Sequence, residues 1–351
     1  MEELTLLILG AGWTSTFLIP LLQSRNIPFA ATTTTGHPVA GAPTIPFKFD
    51  PSVPEDETRS AIAALPRARY ILITFPLLGT GPSRLLVEAY ETTHRTAAAT
   101  APRSQFRFIQ LGSTGIWQPQ RPLTTTTTTT TTTSSSSSSA SSQNPSTNPP
   151  PRSSSSSSNS SPWLTRHSPY NTSAPRAVAE DELLSLGGCV LNLAGLWGGA
   201  RHPRNWVGRV APSKEAARGK TSLHLVHGED VARALVAIVA GSGGGAEDGE
   251  AREKWETAGR GQRWMVTDGW VYDWWGLMAG WSREEGGDGE GGDGRSGLEA
   301  EVSERAKWVW ELMREEGVRA LPRGMEALGR CYDSREFWET WGLVPVKGRV
   351  C

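Results

Sequence analysis

Leu4-Thr5-Leu6-Leu7-Ile8-Leu9-Gly10-Ala11-Gly12-Trp13-Thr14-Ser15 is the stretch that decides the class of this chain. A near-continuous apolar run stopped by glycines reads as a parallel strand buried on both faces, since a half-exposed strand would alternate. Residues 16–23 follow as a helix, with Phe17, Leu18, Leu21 and Leu22 on its apolar side. Between strand and helix, the spacing of Gly10, Gly12 and Ser15 has a mechanism. Gly10 permits the tight turn. Gly12 lets a pyrophosphate approach backbone N–H groups, which the helix dipole makes favourable for an anion. Ser15 stands where glycine or alanine is usual. Gly10, Ala11, Gly12, Trp13, Thr14 and Ser15 are therefore expected to hold the phosphates of a dinucleotide.

Further along, the alternation repeats. Strands are expected at residues 28–33, 44–49, 70–75, 106–111 and 189–194, with helices at 55–65, 83–94, 174–186 and 230–239. Alternating strands and helices at this pitch mean a doubly wound parallel α/β sheet covered on both faces. An acid at the end of the second strand would select NAD by binding the ribose hydroxyls. Here the chain has Thr33 and Thr34 instead, which leaves room for a 2′-phosphate, so NADP is slightly favoured over NAD.

Three segments interrupt the pattern. Between Thr124 and Pro162, 28 of 39 residues are Ser or Thr, and residues 241–250 and 284–297 are rich in glycine and acid. Such sequence cannot bury enough apolar surface to offset the entropy of ordering it. The expected organisation is a dinucleotide-binding domain of residues 1–123 and 163–245, a disordered Ser/Thr-rich insertion at 124–162, and a small, mainly helical lobe at 246–351. That lobe holds ten of the fifteen tryptophans, read as core rather than as a ligand platform.

Thirty-five basic against 36 acidic residues give a formal charge of −1, with no basic field to draw nucleic acid. No run of about 20 apolar residues is present to span a bilayer. The N-terminus lacks the basic start of a signal peptide. Three widely spaced cysteines offer neither a disulfide framework nor a metal site. A cytoplasmic protein acting on a small molecule is expected, with no metal and with a homodimer as one option.

Several fragments now join the glycine turn: Gly112-Ser113-Thr114-Gly115-Ile116-Trp117, Ala179-Glu180, Leu193-Ala194-Gly195-Leu196-Trp197-Gly198-Gly199, His227-Gly228-Glu229-Asp230 and Val266-Thr267-Asp268-Gly269. In this order they resemble the NAD(P)-dependent epimerase/dehydratase group of extended short-chain dehydrogenases/reductases, most closely its atypical members. The resemblance covers residues 4–119 and 163–275 through scattered motifs and implies a Rossmann sheet. It implies that Ser113, with Thr114 beside it, polarises a substrate oxygen. Asp50 and the run Thr74-Phe75-Pro76 would border the adenosine, and Gly195 would lie at the cofactor crevice. His227 and Asp230 would position the helix that follows them.

One element of the family pattern is missing. No Tyr-x-x-x-Lys, the general acid/base and its lysine, is present. Counting from Ala179-Glu180, Thr172 takes the tyrosine position and Arg176 the lysine position. Arg176 is expected to hold a ribose hydroxyl or phosphate, and Tyr170 to be the nearest substitute for the acid, although six residues from Arg176 it does not share a helical face. Arg201, His202 and Arg204 stand where a substrate loop begins, and two arginines there suit a phosphate or carboxylate. The resulting expectation is an oxidoreductase or epimerase/dehydratase-like enzyme, or else a non-catalytic dinucleotide sensor or scaffold.

Overall fold

In a computed structural model, residues 4–95, 106–118, 163–240, 248–281 and 302–350 are described. Seven strands build the central sheet: β1 (Leu4–Leu9), β2 (Phe29–Thr33), β3 (Ile45–Pro46), β4 (Ala68–Ile73), β5 (Arg107–Ser113), β6 (Cys189–Leu193) and β7 (Arg263–Val266). Their spatial order is β7-β6-β5-β4-β1-β2-β3, every neighbouring pair parallel. The order reverses between β1 and β4, and a crevice opens at such a switch point, outside the strand ends.

The apolar run of β1 divides between two cores, because successive side chains leave opposite faces. Leu6 and Ile8 join one cluster with Leu18, Ile19 and Leu22 of α1 (Ser15–Ser24) and Val231, Leu235 and Ile238 of α5 (Gly228–Ala240). Leu7 and Leu9 join the other with Ile62 of α2 (Glu55–Ala63), Leu86 of α3 (Pro82–His94) and Leu183 of α4 (Pro175–Ser185). All six expected strands and five expected helices are present, with ends displaced by one to a few residues. The third strand is the exception, shortened to Ile45–Pro46, where Pro46 has no N–H for a ladder.

The sheet runs past the boundary expected at residue 245. β7 pairs with β6 from Arg263↔Val190 to Val266↔Leu193. Trp255, Trp264, Trp338 and Trp341 pack into the same cluster as β1 and α1. These four are core, as expected, but they belong to the core of the sheet, and Trp270 and Trp310 of the same region are exposed. A smaller cluster is separate from it: Trp274, Trp275 and Met278 of α6 (Trp274–Gly280) against Val309, Leu312 and Met313 of α7 (Glu304–Glu315). A strand of only four residues, Trp264 among them, has no periodicity that sets it apart from a helical lobe.

The Ser/Thr insertion at 124–162 lies outside the described residues, as do 241–247 and 284–297. Asp248–Lys254 is helical, so the Gly/acid segment at 241–250 is not wholly without structure. Among the described residues no helix is long and apolar enough to cross a membrane.

Candidate active site

Gly10 sits at φ +83°, a backbone region that costs an L side chain, and a Cβ there would meet Phe75 Cδ1 at 2.9 Å. The turn is pinned from below. The N–H of Gly10 donates to Thr32 Oγ1 (3.0 Å), the N–H of Ala11 to Thr32 O (2.6 Å), and Thr74 Oγ1 donates to Leu9 O (3.0 Å) and to Gly10 O. Gly12 differs from Gly10. A Cβ there would meet only Gly10 O, at 3.8 Å, so open space lies above it. The N–H groups of Gly12, Trp13 and Thr14 have no hydrogen-bond partner among the described residues. Ser15 is fully buried, its hydroxyl without a partner among those residues, as a slightly oversized stand-in for a glycine packed between helix and strand.

Along the other edge, Phe49 and Phe75 stack with centroids 6.0 Å apart and planes 20° from parallel. Asp50 beside them is held at about 2 by hydrogen bonds from Ser52 and Lys48. Pro76 is exposed. Thr33 is not open to a ligand: its hydroxyl pairs with Thr44 Oγ1 at 2.9 Å. Thr34 is exposed, and no carboxylate stands at the end of β2. Gly195 serves packing, since a Cβ there would meet Leu225 at 2.9 Å and His224 O at 3.1 Å.

At the ends of β5 and β6 lies a cavity of about 500 Å³, lined among others by Ser113, Arg176, Leu196, Arg201, Trp206 and Arg209. Ser113 ends β5, and its Oγ accepts the N–H of Gly115 (3.1 Å), capping a short 3-10 turn. That bond uses a lone pair and leaves the hydroxyl proton to donate into the cavity. Arg176 lies in the first turn of α4, after Pro175. Arg201 projects from the loop after β6, its guanidinium 4.6 Å from the Trp13 ring. Arg209 lies on the short helix Val207–Val210. None of the three guanidinium groups has a hydrogen-bond or ion-pair partner among the described residues.

The structure brings Ser113 and Arg176 together but leaves two expected residues outside the cavity. Thr114 is buried beneath the 3-10 turn, its carbonyl accepting from Tyr332 Oη (3.1 Å). Tyr170 packs against Trp117 and donates to Asp181 Oδ1 at 2.6 Å. Burial, followed by that hydrogen bond, raises its pKa above the usual phenol range. Asp181 in turn accepts from Arg263 (2.7 Å), which also bonds Glu180 and Asn192 Oδ1 (3.0 Å). Asn192 donates to Glu180 Oε2 (2.8 Å) and Ser113 O (3.2 Å). Burial pushes the Glu180 carboxyl up, against the pull of Arg263. This polar network occupies the ground directly beneath Ser113.

Sequence reasoning missed Arg209, Trp206 and the partners of Glu180. The sequence pairs Arg204 with Arg201, yet Arg204 lines a different and smaller cavity, of about 120 Å³, with Arg305. A short helical turn after Pro203 carries Arg209 into the position expected for Arg204. An arginine at the start of the apolar strand Arg263–Val266 was a readable signal, because a buried charge needs a partner. His227 acts as expected of a positioning residue: its Nδ1 accepts the N–H of Glu229 (3.1 Å) at the start of α5. Asp230 accepts the N–H groups of Val346 (2.8 Å) and Lys347 (3.0 Å), tying down the C-terminal segment.

The sequence matches no protein-family model and no curated protein. Solved structures do match. MoeE5 in complex with UDP-glucuronic acid and NAD aligns with a TM-score of 0.50 at 12% identity, over 99% of this chain and 95% of that one. The UDP-glucose 4-epimerase of Thermus thermophilus in complex with NAD aligns with a TM-score of 0.50 at 12% identity, over 98% and 94%. At that identity the likeness establishes the fold alone, one shared with these two structures.

Proposed function

We propose that the chain binds NAD or NADP across the switch point and acts as an oxidoreductase or epimerase/dehydratase-like enzyme on a small polar substrate. One observation carries this reading: three unpartnered N–H groups, of Gly12, Trp13 and Thr14, at the start of α1, beneath open space that only a side-chain-free residue leaves. A pyrophosphate fits that donor set. The Phe49–Phe75 pair supplies a flat apolar wall for the adenine, and an engaged Thr33 with no acid beside it favours NADP over NAD. The nicotinamide, when bound, supplies or accepts the hydride. Ser113 donates to the substrate oxygen, and Arg176 stabilises negative charge on it.

A second reading, a non-catalytic dinucleotide sensor or scaffold, is favoured by the engagement of Tyr170 with Asp181. Titrating the protein with NADH and NADPH, followed through Trp13 fluorescence, tests both. Micromolar binding of one cofactor, lost in Gly12→Glu, is expected; binding of neither refutes the proposal. Turnover with any hydroxy or keto substrate by the bound protein then separates enzyme from sensor.

A further inference from the structure

The cavity beside Ser113 is chemically lopsided. It has three guanidinium groups, of Arg176, Arg201 and Arg209, and one hydroxyl, with no carboxylate among the residues lining it. Several surface arginines elsewhere in this chain are paired: Arg218 with Glu215, Glu315 and Glu316, Arg335 with Asp333, Arg59 with Glu55. A chain of net charge −1 has acids to spare, yet none lines this cavity, and Glu180, which acts electrostatically on Arg176, is buried outside it. Like charges gathered in a concave site raise one another's energy, and a bound anion relieves that repulsion. Guanidinium forks match the paired oxygens of carboxylate and phosphate.

Their supports differ. Arg176 is fixed at the start of a helix, and Arg209 is carried on a helical turn beside Trp206. Arg201 lies against the Trp13 ring, which limits the arcs its guanidinium can sweep. Three cations projecting from three separate segments into one cavity of about 500 Å³ suit a compact ligand with two or more oxyanion oxygens.

We infer that the ligand taken beside Ser113 is a small oxyanion-bearing molecule, a carboxylic acid or a phosphate monoester, held by Arg176, Arg201 and Arg209. This deepens the reading above and rests on it for what lies next to the ligand, but the anion site stands on its own geometry. The phosphates of the dinucleotide itself are the other source of oxyanions for these arginines, and Arg201 is the nearest to them.

Calorimetric titration of the full chain with inorganic phosphate and with succinate, at low salt and with and without NADPH, tests the inference. Saturable binding of at least one probe is expected, weakened tenfold or more in Arg209→Gln and in Arg176→Gln, and weakened by added chloride. Arg209 is exposed and makes no contact the fold needs, so Arg209→Gln should melt like the wild type. Arg209→Lys should recover part of the affinity, since it restores charge without the fork. NADPH affinity should change less than twofold in Arg209→Gln. No saturable binding of either probe overturns the inference, as does equal binding by the Arg176→Gln/Arg209→Gln double variant. A loss of NADPH affinity in Arg209→Gln as large as the loss of phosphate affinity overturns it in favour of cofactor phosphates. If the wild type fails to bind NADPH while phosphate binding persists, the dinucleotide reading alone is refuted and the anion site is supported; if Gly12→Glu loses NADPH and keeps phosphate, both are supported.

Discussion

The two halves of the crevice have the same scaffold and opposite fates. At the glycine turn, backbone donors face open space, and no described residue competes for them. Beneath the end of β5 and beside the start of α4, where the resemblance puts the tyrosine and lysine positions, several polar groups are turned inward. Tyr170, Asp181, Arg263, Glu180 and Asn192 satisfy one another beneath Ser113. Donors at one end are left unpaired, and polar groups at the other find partners in the core. Lining the cavity at that end are Ser113 and the side chains of Arg176, Arg201 and Arg209.

The contrast breaks most visibly at Arg263. Replacing it with Met strands the Glu180 carboxylate, fully buried, without its cation. Loss of one partner of a buried pair costs about 3–5 kcal/mol. Denaturant unfolding should show a loss of that size. A loss below about 1 kcal/mol, the scale of an exposed pair, would mean that the network is not structural.

At the other end, Gly12→Glu should leave stability nearly unchanged, since a Cβ there meets nothing closer than 3.8 Å. Dinucleotide affinity should fall by roughly a hundredfold, about 2.7 kcal/mol. Gly10→Ala sharpens the point by reversing it: the positive φ and Phe75 penalise the fold itself. Thermal melting and NADPH titration of the two variants should therefore give opposite patterns.

Asp268 offers a pH test of the buried region behind the sheet ends. Burial raises its carboxyl from the usual 3.8 to about 7, although Tyr272 donates to it at 2.6 Å. The folded protein therefore keeps this proton where the unfolded chain has lost it. The resulting stabilisation is complete below about pH 3.8 and is lost as pH rises towards 7, a fall on the order of 4 kcal/mol. In Asp268→Asn this part of the slope should vanish. An unchanged profile would show that the carboxyl ionises normally in the fold.

The smallest expected effect is that of Tyr170→Phe. Loss of the bond to Asp181 should cost about 1 kcal/mol. Any turnover found should be unaffected, because Tyr170 does not line the cavity. A drop in kcat of roughly tenfold, about 1.4 kcal/mol of barrier, would return Tyr170 to the reaction and restore the symmetry between the two ends.

Local chemistry made much of this legible in advance. The apolar runs of β1, β4, β5 and β6 and the glycine spacing are local signals, and the motif order placed Ser113 and Arg176 at one crevice. β7 was not readable, because a strand of four residues carries no distinctive period. Nor was the exchange of Arg204 for Arg209, which depends on how one short turn rotates after Pro203. Tyr170 was misplaced for a similar reason. Sequence distance put it beside the tyrosine position, while Asp181, 11 positions on, and the far more distant Arg263 drew its hydroxyl away.

By itself, then, the sequence determined the alternating strands and helices, the open turn at Gly12 and the loss of Tyr-x-x-x-Lys, because each depends on residues near one another in the chain. Tertiary structure alone decided which polar groups face the crevice and which face the core. That choice is made between side chains from distant segments, each taking the partner that best offsets its burial. Arg263 found Glu180 and Asp181, and Arg176, Arg201 and Arg209 form no ion pair among the described residues.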